Sequence, residues 1–174
     1  MRPPRGYAVY YVLADAPRPL AVTVNPLSLL LGRLSGNIEL RLAAHHALVV
    51  SPNVLVAQVD RGTLGGLVSQ AYGFVTQASS SVGLEVGYHY WWRRRAALSG
   101  PFFGPSILFG STTQASVGDP THAQEYWGAA FDLGLQEVLA GGFTIGGGAG
   151  AGFVRMADAT AVFPRFLLQA GWSF

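Results

Sequence analysis

Charged side chains recur on the polar faces of segments that otherwise alternate between apolar and polar residues. They are three acids and two arginines: Glu39, Arg41, Glu85, Asp132 and Arg165. Carboxylates held near other charges can perform acid–base chemistry, and rows of charges can also pass ions. A charge buried in a narrow interior must pair, however, or it costs several kcal/mol. We therefore interpret the five as an interior ion network that fills space, with a narrow passage and catalysis as alternatives.

The four histidines do not form a pattern typical of metal binding or nucleophilic catalysis. His45 and His46 are adjacent, and their rings diverge in extended structure, so they cannot share a metal ion. His89 is two inward positions from Glu85, too far for direct contact along one strand, and His122 lies in a predicted loop. The chain has no cysteine, which excludes a thiolate site. We expect no metal, no cofactor and no catalytic residue, and hence a protein that is not an enzyme.

Glycines near the C-terminus fit the spacing of a dinucleotide-binding fingerprint, with Gly146, Gly148 and Ala151 in the required order. That fingerprint needs a strand before it and a helix after it. Here glycine recurs at every second position through Gly152, so the glycines line one face of a strand. We interpret them as space for bulky groups from across an interior.

The composition narrows the class of protein. Half of the 174 residues are apolar and 11% are charged, against about a quarter charged in soluble domains. No window reaches the ~18–20 apolar residues of a membrane helix. The net charge of +2, without a basic patch interleaved with aromatics, excludes a nucleic-acid partner. The remaining classes are a strongly apolar soluble domain and a membrane barrel.

The clearest strand is the C-terminal segment, Phe163 to Phe174. From residue 166 its even positions are all apolar and end in Trp172 and Phe174, whereas the opposite face is mostly polar or small and carries Arg165. Such alternation has the period of a β-strand with two different faces. An apolar outer face that reaches the last residue is typical of a barrel surrounded by lipid.

Seven further segments have the same alternation. They span about residues 20–25, 33–43, 46–58, 82–92, 103–109, 125–138 and 143–153. Residues 27–31 either extend the first strand or form a turn, and Pro105 predicts a local irregularity in the fifth. Together with the C-terminal strand they predict an all-β fold, an eight-stranded antiparallel up-and-down transmembrane β-barrel.

The connections provide a second argument for this setting. Loops are predicted over 59–80, 111–123 and 156–161, whereas the intervening turns are expected to be short. Long outer loops and short periplasmic turns are the pattern of outer-membrane barrels. The barrel then occupies residues 20–174. Residues 1–19 form either an N-terminal arm or the remnant of a signal peptide, since a basic start precedes a short apolar run.

Large aromatics fall near the two ends of the predicted strands, as expected of girdles at membrane interfaces. These residues are Tyr90, Trp92, Phe103, Trp127, Phe143, Phe153, Trp172 and Phe174.

The chain resembles the small eight-stranded outer-membrane barrels of the OmpA, OmpX and OmpW type over about residues 20–174. The resemblance rests on VNPLSLLLGRL, GLEVGYHYW, FFGPSILFG, GGFTIGGGAGAGF and the terminal QAGWSF. It implies integral residence in the bacterial outer membrane, contact with its lipids, and recognition of the C-terminal strand by the barrel-assembly machinery. The interior ion network is also similar to the core of OmpA-like barrels. Such barrels serve as anchors, adhesins, solute passages and enzymes, so the fold does not imply the task.

Two other functions remain open at this stage. A soluble lipocalin-like barrel would enclose an apolar ligand, but it has the opposite polarity, with the apolar face inward. A lipid-modifying hydrolase would need a nucleophile and a base in contact, which the sequence does not place together. We expect a structural, surface-interaction or minor solute-passage role, in an oligomeric state that the sequence does not define.

Overall fold

The computed structural model describes residues 17–30, 33–55, 78–92, 98–114, 122–157 and 159–174. The strands are β1 Leu20–Val24, β2 Arg33–Ala43, β3 His46–Leu55, β4 Ala78–Trp91, β5 Gly100–Gln114, β6 His122–Val138, β7 Phe143–Met156 and β8 Ala159–Ser173. One short helix, α1 Pro26–Leu30, follows β1, and a single 3-10 turn, Ala140–Gly142, precedes β7. None of the helices within these ranges is long and apolar enough to cross a membrane.

Each strand pairs antiparallel with its neighbours in sequence, and β8 pairs with β1, so the sheet closes into an eight-stranded barrel. The predicted all-β class and the eight-stranded antiparallel up-and-down barrel are thereby confirmed. Pairs around Pro105 are missing from the β4–β5 ladder, which runs in one register from Gly87–Ser106 to Tyr90–Phe103. A proline cannot donate a ladder hydrogen bond, which accounts for the interruption.

The two faces of the barrel wall differ sharply in chemistry. Large apolar side chains on the outer face are exposed, among them Ile107 at 60%, Leu133 at 58% and Val162 at 79%. Inward polar side chains are buried, including Glu39 and Asp132, each 4% exposed. The period-two pattern of the sequence therefore separates an apolar exterior from a polar interior.

Helix α1 begins at Pro26 because the residue before it caps the helix. Asn25 Oδ1 accepts hydrogen bonds from the backbone N–H groups of Leu27 (3.0 Å) and Ser28 (3.2 Å), and proline suits the first helical position. The segment 27–31 was predicted to be a strand extension or a turn; its residues 27–30 belong to this helix instead, and residue 31 lies outside the described residues. Ser35 Oγ then donates to Ser28 Oγ at 2.8 Å, which ties α1 to β2.

Two predicted loops are much shorter in the structure. Strand β5 continues to Gln114 and β6 begins at His122, so the prediction of a loop over 111–123 was wrong at both ends. Strands β7 and β8 are separated only by residues 157–158, where a loop over 156–161 was predicted. Polar residues misled both assignments, because side chains of a long strand can extend beyond the apolar part of a barrel.

We call the end of the barrel where β1 begins and β8 finishes the terminal end, and the opposite end, beside α1, the loop end. Connections at the loop end include residues 56–77 and the two-residue 157–158, whereas residues 92–99 connect β4 to β5 at the terminal end. The expected rule of long loops at one end and short turns at the other is therefore not followed. The two-residue connection between β7 and β8 therefore gives no support to the argument from loop lengths for a membrane setting.

The seam between β1 and β8 is short. Ala21–Val24 pair with Ala170–Ser173 and Leu20 bonds to Phe174, whereas the pairing of β8 with β7 extends from Trp172 to Ala159. Helix α1 takes the place that a longer β1 would occupy beside β8. The loop-end half of β8 thus has a strand neighbour on one side only among the described residues.

Candidate functional site

Arg165 joins two carboxylates in the middle of the lumen. Its Nη2 donates to both oxygens of Glu85, at 2.9 and 3.0 Å. Its Nε lies 3.2 Å from Asp132 Oδ1, a contact that is ionic without hydrogen-bond geometry. All three side chains are at most 15% exposed. The structure thus brings together three of the five charged residues singled out in the sequence.

The glycine row of β7 makes this cluster possible. Gly150 pairs with Arg165 on one side and with Asp132 on the other, so the arginine passes over a position without a side chain. A Cβ atom at Gly150 would overlap Asp132 Oδ1 and the Phe131 carbonyl oxygen. The glycine row therefore provides space for charged side chains to pair across β7. Strand β7 is followed by β8 and not by a helix, which rules out the dinucleotide-binding interpretation.

Glu39 pairs with a histidine. His89 Nδ1 lies 3.0 Å from Glu39 Oε1, across strand β3. Ala47 stands between their strands and is fully buried, so its small side chain lets the imidazole reach over. The ring of His89 also stacks on Phe102 with centroids 4.3 Å apart. Sequence reasoning missed this pair because it compared His89 only with residues on its own strand.

Arg41 lies nearer the terminal end. Its Nη2 donates to the carbonyl oxygen of Ala44 at 3.3 Å, in the turn that follows β2. Arg41 was predicted to share the middle of the lumen with Arg165, against the acids. The contact described for its guanidinium is with the β2–β3 turn, and those described for Arg165 are with Glu85 and Asp132.

The terminal end of the lumen is filled by apolar side chains. Trp91, Leu98 and Phe102 are at most 3% exposed and pack with Ala21 and Ala47. Leu98 and Ser99 are the last residues of the β4–β5 connection. Leu98 is fully buried, and its carbonyl oxygen accepts a 2.7 Å hydrogen bond from Gln136 Nε2. Buried apolar side chains therefore occupy this end of the lumen.

A chain of amides crosses the lumen above this apolar cluster. Gln169 Nε2 donates to Gln136 Oε1 at 2.5 Å, and Asn37 Nδ2 donates to Gln169 Oε1 at 3.1 Å. The chain links β6, β8 and β2 and satisfies buried polar groups that would otherwise be costly. Neither glutamine was singled out in the sequence, although both occupy inward positions of the alternating pattern.

Towards the loop end the lumen opens into a cavity of about 220 Å³. Its polar wall includes Arg33, Asn37, Ser51, Asn53, Glu85 and Arg165, and its apolar wall includes Leu27, Leu108, Val154 and Leu167. Arg33 Nη2 donates to Asn53 Oδ1 at 2.7 Å. The cavity thus combines charged and amide groups on one part of its wall with aliphatic side chains on another.

The aromatic residues chosen from the sequence form bands on the outer wall. At the terminal end Tyr90 contacts Phe103 (centroids 5.3 Å apart), Trp92 contacts Phe103 (6.4 Å) and Phe143 contacts Trp172 (5.2 Å). Towards the loop end Trp127 contacts Phe153 at 5.8 Å. Phe174, 64% exposed, is the last residue at the terminal end.

Within the ranges that the structure describes, no three His, Cys, Asp or Glu side chains are grouped to hold a metal ion. His45 Nδ1 bonds to the Trp91 carbonyl oxygen, whereas His46 bonds to the Tyr88 hydroxyl on the outer wall. The two adjacent histidines thus bond to different polar groups, although both rings contact Tyr90, with centroids 5.6 Å away in each case. His122, expected in a loop, is the first residue of β6.

Comparison with protein-family models, with curated proteins and with solved structures finds no significant match.

Proposed function

We propose that this protein is an integral β-barrel of the bacterial outer membrane, of the OmpA, OmpX and OmpW type, and that it is not an enzyme. Its task would be structural, surface-interacting or limited small-solute handling. The lipids of the outer membrane and the barrel-assembly machinery are the partners that this proposal implies.

The polarity of the barrel wall carries the proposal. Every strand exposes apolar residues outward, from Val22 in β1 to Leu168 in β8. The charges of Glu39, Glu85, Asp132 and Arg165, on β2, β4, β6 and β8, lie inward. A continuous apolar exterior of this extent exceeds the patches of a few hundred Å² that soluble monomers expose. In a membrane, lipid chains would cover this apolar surface, and the aromatic bands at the two ends would lie at the membrane–water interfaces.

A soluble lipocalin-like barrel is the alternative, and the same observation disfavours it. Such a barrel presents its polar face to water and its apolar face to the ligand. Here the ion pair of Arg165 with Glu85 and the pair of His89 with Glu39 lie inside, while Trp127 and Phe131 lie outside, 54% and 48% exposed. For the third candidate, a lipid-modifying hydrolase, no serine contacts a histidine–acid pair among the described side chains.

Spin labels test the setting directly. Nitroxides at Val86, Tyr88, Leu133, Ile145 and Leu168, on the purified protein reconstituted in bilayers, should relax mainly with lipid-soluble oxygen. A label at Val154, which is inward and 5% exposed, serves as the control for an inward position. Relaxation mainly by a water-soluble agent at the outward positions would overturn the proposal.

Fractionation tests the location in cells. We expect the protein in the outer-membrane fraction, with a folded form that migrates faster than the boiled form on gels, as closed barrels do. Recovery in the soluble periplasmic fraction, with full solubility in the absence of detergent, would favour the lipocalin-like alternative.

A further inference from the structure

The short seam between β1 and β8 leaves a gap in the strand pairing of the barrel wall, beside which α1 lies. Beyond Val24, where β1 ends, strand β8 continues to the loop end beside α1 instead of beside a strand. Pro164, a residue that unpaired edges favour, lies in this segment. Hydrogen bonds join α1 to β2, through Ser28 and Ser35, but none joins α1 to β8 among the residues described.

The loop-end cavity reaches this gap. Four consecutive residues of β8, Phe166 to Gln169, line it together with Leu27 and Ser28 of α1. Successive side chains of a strand point to opposite faces, so a cavity lined by four in a row meets the edge of the strand. The cavity therefore extends from the lumen to the outer wall between α1 and β8.

Among the residues that the structure describes, one arginine of the cavity wall, Arg33, contacts an amide and no carboxylate. Arg165 is matched by Glu85 and Asp132, whereas the described contact of Arg33 is with the neutral amide of Asn53. A guanidinium with free N–H groups binds carboxylates and phosphates strongly. The polar part of the cavity near Arg33 is thus suited to an anionic group.

We propose that this cavity binds a single-chain amphiphile, with its anionic head on Arg33 and Asn53 and its alkyl chain leaving through the gap between α1 and β8. The head then exchanges water for a charge-assisted hydrogen bond, and the chain lies against Leu27 and the apolar outer wall near Phe166. This inference rests on the proposed membrane setting, because only lipid outside the gap would receive the chain.

The test is calorimetric titration of the whole protein in neutral detergent micelles, with protein-free micelles subtracted. Dodecanoate should bind saturably at one site. Dodecyltrimethylammonium should not bind, since its head has the wrong charge. Butanoate, which has the head but only a short chain, should bind at least ~100-fold more weakly, because it buries much less apolar surface.

Charge variants locate the head. Arg33→Gln should weaken dodecanoate binding about tenfold or more, as expected for the loss of a charge-assisted hydrogen bond, and Arg33→Lys should retain part of the affinity. Arg155→Gln is the matched control, because Arg155 is exposed on β7 at the same end of the barrel. Equal affinity in Arg33→Gln and Arg155→Gln would overturn the assignment of the head.

A cross-link between α1 and β8 tests whether the alkyl chain leaves through the gap. Because the chain has no native cysteine, the reagent reacts only with the introduced ones. A short bismaleimide between Leu27→Cys and Phe166→Cys should reduce dodecanoate binding relative to the same variant before linking. The same reagent between Val24→Cys and Ala170→Cys, which are paired in the seam, should have no effect. Unchanged binding after the first link would overturn the lateral route.

The spin-label experiment and the dodecanoate titration together separate the two proposals. If the outward labels fail to relax with oxygen in bilayers, the proposed membrane setting fails. If they succeed and dodecanoate does not bind, the amphiphile site alone is overturned.

Discussion

Arg165 reaches Asp132 over strand β7, with 3.2 Å between Nε and Oδ1. The residue that separates them in the sheet is Gly150, which is paired with both. A charged pair two strands apart therefore depends on a missing side chain in between. The stability of the lumen should accordingly respond to changes at the glycine as well as at the charges.

Gly150→Ala should lower the free energy of unfolding by ~1–3 kcal/mol, because the added methyl group overpacks a filled interior. Its Cβ would overlap Asp132 Oδ1 and a backbone oxygen. Gly147→Ala is the control on the same strand, since its Cβ points away from the lumen and comes no nearer than 3.3 Å to the Leu167 oxygen. Urea unfolding in detergent or bilayers measures both; equal losses would mean that the lumen at Gly150 has room to relax.

Arg165→Ala should be strongly destabilising, by ~3–5 kcal/mol, because Glu85 and Asp132 would remain buried without their cation. Leu168→Ala should cost less, since lipid can fill the space outside the barrel. Adding Glu85→Gln and Asp132→Asn to Arg165→Ala should recover part of the loss. An Arg165→Ala variant as stable as the wild type would indicate that water lines the charged face.

The wild-type protein should show no large stable conductance in planar bilayers, because Trp91, Leu98 and Phe102 fill the terminal end of the lumen. Trp91→Ala combined with Phe102→Ala should produce measurable conductance by removing the two largest rings from this cluster. Trp127→Ala, which removes an outward ring, is the control. A large wild-type current would identify the protein as a channel.

Replacing Phe174 by Asp should reduce the amount of protein in the outer membrane more than it reduces the stability of protein folded in vitro. The backbone of residue 174 pairs with Leu20 through hydrogen bonds of 2.8 and 3.4 Å, and a substitution preserves both. The aromatic side chain is then the part that the assembly machinery would read. Membrane levels equal to the wild type, measured by immunoblotting, would contradict this role; Val162→Asp, also on β8, controls for a charge on the outer wall.

Much of the barrel follows from local pattern. Alternation of apolar and polar residues defines each strand and assigns Ile145 to the outside and Thr144 to the inside without knowledge of any neighbour. The start and end of β2, at Arg33 and Ala43, agree with the prediction for the same reason. Strand ends in polar segments, such as Gln114 and Ala159, were misplaced because polarity there no longer distinguishes strand from loop.

The sequence by itself determined the strands, their faces and the polar character of the interior, because these depend on residues close together in the chain. Only the tertiary structure decided which charges meet. Glu39 contacts His89, and Arg165 contacts Asp132, because register and barrel closure place residues of alternate strands over a small side chain or none. The gap beside α1 was likewise decided in three dimensions, since the length of the β1–β8 seam depends on how far two strands distant in sequence run side by side.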